Sequence, residues 1–172
     1  MSAQTIIALW KDTRDGLINE VEKIPEDQFS FRATPETRSI AELLQHIVEA
    51  QKILVGETCR PESNLLRQSF PAHTAEYAPD VKNVSDKNGL LELLRTSMDE
   101  CVERINGWSD KLDDSMSRLD GKPVPKSVFL TFTVSHEMYH RGQLTVYERL
   151  LNIEPVLTGK VKKFFTKSGS PD

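Results

Sequence analysis

From Lys126 to Glu154 the chain runs without a proline, and Phe129, Phe132, His136, Tyr139, His140, Gln143, Tyr147 and Leu150 recur at steps of three and four. That period of about 3.6 residues belongs to one face of a helix, predicted here from about Ser127 to Leu151 with Pro155 limiting it. A long amphipathic helix must bury its stripe against a partner, so the rest of the chain is read for helices that supply one. Ile6, Leu9, Trp10, Thr13, Leu17, Val21 and Ile24 form a first stripe, closed by Pro25. Ser39-Ile40-Ala41-Glu42 is a capping box that fixes the start of a second helix, with Leu43, Leu44, Ile47, Ala50, Ile53 and Leu54 inward and a break at Gly56 or Pro61. Ser85 is expected to cap a third, carrying Leu90, Leu91, Leu94, Met98, Cys101, Val102, Ile105 and Trp108 and ending at Gly107.

Between the second and third helices, Arg60 to Val84 contains Pro61, Pro71 and Pro79 and reads as a long connection with at most a helical turn at Leu65 and Leu66. No convincing alternating segment appears. The expected fold is all-α, a four-helix bundle with a long crossover connection spanning residues 1–155, followed by a basic tail over 156–172. Within that tail Lys160, Lys162, Lys163 and Lys167 accompany Phe164 and Phe165, which are expected to dock back on the body. The segment from Ser168 to Asp172 is of low complexity.

Composition narrows the function classes. Twenty-two basic against 26 acidic residues, a net charge of -4, disfavours a nucleic-acid surface, which is usually strongly basic. No apolar run approaches the roughly 20 residues needed to span a bilayer. The opening MSAQTIIALWKDTRDG lacks the form of a secretory signal, so a cytoplasmic location is expected. Cys59 and Cys101 are too few for a disulfide framework and are read as reduced thiols.

His136 and His140 stand one helical turn apart on an apolar stripe, so their imidazoles can meet one ion. His46, three residues after Leu43 and four before Ala50, faces the same interior from the second helix. Any one of these alone is better read as a hydrogen-bonded core histidine. Two adjacent buried imidazoles both need partners, however, and a metal satisfies them together. Three nitrogen donors with a position left open is a catalytic arrangement rather than a closed structural one. His73, in the proline-rich connection, is expected at the surface and is left out of the site.

His136-Glu137-Met138-Tyr139-His140 also matches the H-E-x-x-H pattern of zinc proteases, whose glutamate is the general base. Such proteases usually offer a sheet edge to the peptide, and none is expected here, so Glu137 is read as a solvated or ligand-supporting carboxylate. Glu49, three positions beyond His46, is a candidate to orient a ligand or water, with plain surface placement equally open. Tyr139 and Gln143 are candidates to hydrogen-bond a ligand or substrate, or else to pack. Arg141 with Gly142 is read as a helix or subunit contact, the glycine permitting close approach.

The segments SIAELLQHIVEAQ (Ser39 to Gln51) and HEMYHRGQLTVYERLLNIEP (His136 to Pro155) strongly resemble the DinB-like superfamily of metal-binding four-helix bundles, over most of the chain. The specific signs are the histidine within the second helix and a last helix reading His-x-x-x-His-Arg-Gly-Gln-Leu. The resemblance implies His46, His136 and His140 as ligands of a divalent metal, zinc or nickel first, and a small-molecule substrate. It implies either transfer of a low-molecular-weight thiol or hydrolysis, with a homodimer expected. The alternative is a non-catalytic metal-binding bundle acting through dimerisation or a protein partner.

Overall fold

The computed structural model describes residues 1–167; the low-complexity end at Ser168 to Asp172 lies outside them. Helix α1, Ala3–Lys23, starts where Ser2 Oγ accepts from Thr5 N–H at 3.2 Å. Helix α2, Ile40–Thr58, opens on the predicted capping box: Ser39 Oγ accepts from Glu42 N–H at 3.2 Å, and Glu42 Oε2 accepts from Ser39 N–H at 2.9 Å. The connection after it contains a short helix, α3, Phe70–Tyr77, and a 3-10 turn at Val81–Asn83. At Leu65 and Leu66 the chain makes a single hydrogen-bonded turn, Arg67 N–H donating to Asn64 O at 3.1 Å, and it goes no further as helix, since Asn64 bridges to Ser117 and Leu65 N–H donates to Ser117 O.

Helix α4, Lys87–Asn106, is capped by Asp86, whose carboxylate accepts from Gly89 N–H at 2.9 Å, rather than by Ser85 one residue earlier. A two-stranded antiparallel hairpin, β1 (Ser115–Ser117) with β2 (Pro123–Pro125), leads into α5, Lys126–Leu150. Asn152 stops α5 in the left-handed conformation (φ 59°): its N–H donates to Arg149 O and that of Ile153 to Glu148 O, a Schellman closure. Beyond Pro155 the chain forms another helix, α6, Val156–Lys167, whose Phe164 and Phe165 are 68% and 69% exposed, so those rings do not dock into the body as expected. No helix among the described residues is long and apolar enough to cross a membrane.

The four long helices make the bundle. Helix α2 packs on α4 and α5, and α1 packs on the same two, so helices consecutive in sequence, α1 with α2 and α4 with α5, stand across the diagonals. Besides a small cluster of Leu65, Met116 and Phe129 at the hairpin, the core among the described residues has two large apolar parts. One joins Leu17, Val21, Leu43, Leu44, Ile47, Leu90, Leu94, Leu144 and Tyr147; the other joins Ile6, Trp10, Val55, Met98, Cys101, Ile105 and Leu130.

A polar layer separates them, at Arg14 of α1, Gln51 of α2, Ser97 of α4 and Glu137 of α5, all buried. Arg14 forms a bidentate pair with Glu137 (2.6 and 2.7 Å), donates to Leu94 O (2.5 Å) and Ser97 Oγ (3.3 Å), and reaches Gln51 Oε1. Trp10 Nε1 donates to the second Glu137 oxygen at 2.6 Å. One guanidinium thus fastens all four long helices at one level, which fixes their axial register.

This layer turns α5 away from the orientation its apolar pattern suggests. Phe132, Tyr139 and Leu150 of the expected stripe are 51%, 73% and 56% exposed, while Thr133, Glu137 and Glu148 are buried. At 100° per residue the buried face is rotated by most of a right angle toward Glu137. On α1, Leu9 is likewise 54% exposed, whereas Arg14 is inside.

Candidate metal centre

Seating Glu137 in the core leaves His140 about 60° and His136 about 100° round the helix from it, at the seam between α5 and α2. His140 is buried and His136 half-buried, as that rotation requires. Across the seam stands His46, also half-buried, placed by the α2 register that buries Leu43, Leu44 and Ile47. His46 lies 5.3 Å from His136 and 4.7 Å from His140, ring centre to ring centre. One nitrogen from each of the three comes within 4.8 Å of the other two.

The nitrogens facing each other are Nε2 of His136 and Nε2 of His140, at 3.2 Å. Two imidazole nitrogens bound tetrahedrally to one zinc at about 2.0–2.1 Å are themselves about 3.3 Å apart, so this spacing fits a shared ion. The tautomer fits as well. Gln143 Oε1 lies 3.1 Å from His140 Nδ1, and a carbonyl oxygen can only accept, so the ring proton sits on Nδ1 and Nε2 keeps its lone pair. Gln143 is held in turn: its Nε2 donates to Tyr147 Oη at 3.3 Å, and that hydroxyl donates to Arg38 O at 3.0 Å.

Burial pushes His46 down to about 4, with the Arg38 charge and the other two imidazoles acting the same way. Burial also pushes His136 down to about 4, aided by His140 and Arg38 and opposed by the Glu137 carboxylate. His140 is lowered by burial too, against the opposing effect of the hydrogen bond it donates to Gln143. All three are therefore neutral at pH 7, the form that binds a metal.

A cleft of about 580 Å³ opens beside His46, lined by Arg38, Glu42, Gln45, Glu49, Phe70 and Lys82. Glu49 is buried rather than at the surface: Thr74 Oγ1 donates to it at 2.9 Å and Lys82 Nζ lies 3.8 Å away. Tyr139 is exposed but lies edge-on to His140 at 5.1 Å. Phe132, with its ring centre 6.3 Å from that of His136, also borders a hollow of about 240 Å³ with Leu54, Arg118, Leu119, Asp120, Val124, Val128 and Phe129.

Three expectations need correction. Glu137 is neither solvated nor free to act as a base, since both its oxygens are taken by Arg14 and Trp10. His73 is not at the surface: it is 2% exposed, with Nε2 3.2 Å from Leu65 O and Nδ1 3.2 Å from Gln68, and it braces the long connection away from the three histidines. Gly142 has no neighbouring atom within 4 Å of where a Cβ would stand, so it permits no close approach within the chain. The close approach is at Gly16 of α1, where a Cβ would fall 2.1 Å from the Arg141 guanidinium that crosses it toward Glu20. Cys59 and Cys101 are buried free thiols, raised by burial to about 12 and about 11.

The apolar periodicity gave no sign of Arg38 or of the buried Arg14–Glu137 pair. Arg38 lies in the loop before the capping serine, where no pattern marks it. Arg14 falls four residues after Trp10 and three before Leu17, a core step that only a partner charge on another helix makes tenable.

The fold is shared with known proteins. YrdA of Bacillus subtilis (strain 168), an uncharacterized protein, is 21% identical over 162 residues, covering 93% of this chain and 90% of YrdA. YfiT from Bacillus subtilis, described as a probable metal-dependent hydrolase with an unusual four-helix bundle topology, superposes with a TM-score of 0.66 at 16% identity, over 88% of this chain and 89% of YfiT. A mycothiol-dependent maleylpyruvate isomerase superposes with a TM-score of 0.65 at 13% identity, over 84% of this chain and 61% of the isomerase. The pattern that defines the DinB family matches residues 1–165, and the chain belongs to that family.

Proposed function

We propose that His46, His136 and His140 hold one divalent cation, zinc or nickel, and that the chain is a metal-dependent enzyme transferring a small thiol to an electrophilic acceptor. The observation that carries this reading is the convergence of three neutral imidazoles within 4.8 Å of one another, one of which, His46, lines an open cleft. When bound, the ion supplies Lewis acidity, which favours the ionised form of a thiol or polarises an electrophile. The described residues do the rest. Gln143 keeps the proton of His140 on Nδ1, Tyr147 steadies Gln143, and Glu49, fixed by Thr74, is placed in the cleft to orient a substrate or accept its proton.

Thiol transfer is preferred to hydrolysis because Glu137, the base that an H-E-x-x-H hydrolase would use, is consumed by Arg14 and Trp10. A thiol, with a pKa near 8.5, needs less help to ionise than water does. The mycothiol dependence of one structural neighbour is consistent with a low-molecular-weight thiol as co-substrate. We place the enzyme in the cytoplasm, as a homodimer. The test is a transfer screen of zinc- and nickel-loaded protein with several small thiols against electrophilic acceptors, alongside ester and amide substrates. Metal-dependent consumption of thiol supports the reading. Hydrolysis without thiol would replace it with the hydrolase, and inactivity toward every pair would favour a metal-binding bundle without catalysis.

A further inference from the structure

Arg38 is exceptional among the arginines. Every other arginine has an anion, a carbonyl, a hydroxyl or an aromatic ring at its guanidinium, whereas the Arg38 side chain has no partner among the described residues. Its position is nonetheless built. The Arg38 carbonyl accepts from Tyr147, which is bonded to Gln143, which is bonded to His140, so one hydrogen-bond chain fixes both the arginine backbone and a proposed ligand. The side chain lines the same cleft as His46, with Lys82 as a second cation on the wall. The carboxylates there are already engaged: Glu42 with Arg32, Glu49 with Thr74 and Lys82. Phe132, the ring neighbour of His136, lines a second, mostly apolar hollow.

We propose that this site binds an amphipathic carboxylate, its anionic group on the Arg38 guanidinium and its apolar body in the hollow lined by Leu54, Val128, Phe129 and Phe132. This rests on the three histidines being the reaction centre, because the two ends then hold the middle of the molecule at the metal. A planar guanidinium pairs with a carboxylate through two parallel hydrogen bonds, so Arg38 selects for charge and for planarity together. The hollow, whose lining also includes Arg118 and Asp120 paired with each other at 3.6 Å, adds affinity through burial of the apolar body.

The two ends make separable demands on a simple probe. 4-Phenylbutyrate and its neutral isostere 4-phenylbutyramide are titrated into the full chain by calorimetry, both free of metal and after zinc loading, with zinc content measured. The metal-free protein is expected to bind the acid roughly two- to fivefold tighter than the amide, the scale of one ion pair at an exposed arginine. Arg38→Gln is expected to abolish that preference without changing zinc content or amide affinity, and Phe132→Ser to weaken both probes alike. Equal affinity for acid and amide, absence of binding by either, or an undiminished preference in Arg38→Gln would overturn the proposal. Failure to load either zinc or nickel would instead defeat the metal-enzyme reading, while the metal-free titration still decides the fate of the carboxylate.

Discussion

Replacing Glu137 with Gln separates two accounts of the same five residues. If Glu137 were the base of a zinc hydrolase, the substitution would silence chemistry and leave stability untouched. The structure gives the opposite expectation. Glu137 and Arg14 are 2% and 1% exposed, and the carboxylate neutralises an almost fully buried guanidinium. Removing one partner of such a buried pair costs about 3–5 kcal/mol, because the other charge stays buried without compensation. For a domain of this size each kcal/mol moves the melting temperature by about 2–4 °C, so a fall on the order of 10 °C is expected. Metal content should be unchanged, since the histidine nitrogens are not touched. Differential scanning calorimetry with parallel metal analysis reads both. Arg14→Met combined with Glu137→Leu should recover much of the loss, since the lone charge is then gone. A wild-type melting temperature in Glu137→Gln would refute the reasoning.

Three further outcomes follow from the same contacts. Gln143→Leu removes the group that fixes the His140 tautomer and should weaken metal binding by about 10–100-fold, measured by competition with a chelator, while the helical circular dichroism stays constant. In metal-free protein, His46 and His136 titrate near 4 when folded but near 6.5 when unfolded, so between those values the unfolded chain binds more protons. Stability should therefore decline as pH falls from 6.5 to 4, and a triple histidine-to-asparagine variant should flatten that decline. Glu148 is raised to about 8 by burial and by the neighbouring Glu20 carboxylate, with both its oxygens lacking a hydrogen-bond donor among the described residues. Its stabilising protonated form is fully present below 4.5 and lost as pH rises through about 8. Glu148→Gln should therefore raise the melting temperature relative to wild type at pH 9 more than at pH 5.

The sequence was legible where local chemistry governs the outcome. The capping box at Ser39 and Glu42 depends on neighbours three residues apart, and it forms as read. The convergence of His46, His136 and His140 was visible as well, because ligand candidates on two helices shared faces with apolar residues. What escaped depends on partners far along the chain. Glu137 looks like a surface residue on any hydrophobic scale, and only Arg14, 123 positions away, makes its burial possible. Since Glu137 turns inward, the aromatic stripe of Phe132 and Tyr139 turns outward, which is why the apolar pattern of α5 indicated the wrong face. His73 was misjudged for the same kind of reason: its bonds to Leu65 and Gln68 arise from how a proline-rich connection folds back on α2.

The central claim, that three histidines from two helices hold one ion, is tested most directly by X-ray absorption spectroscopy of the zinc-loaded protein, with metal content measured for each histidine-to-alanine variant. The account predicts about one zinc per chain, three imidazole nitrogens at about 2.0–2.1 Å, and reduced occupancy in His46→Ala as well as in His136→Ala and His140→Ala. A spectrum with sulfur or four protein nitrogens about the ion, or full zinc content in His46→Ala, would contradict it.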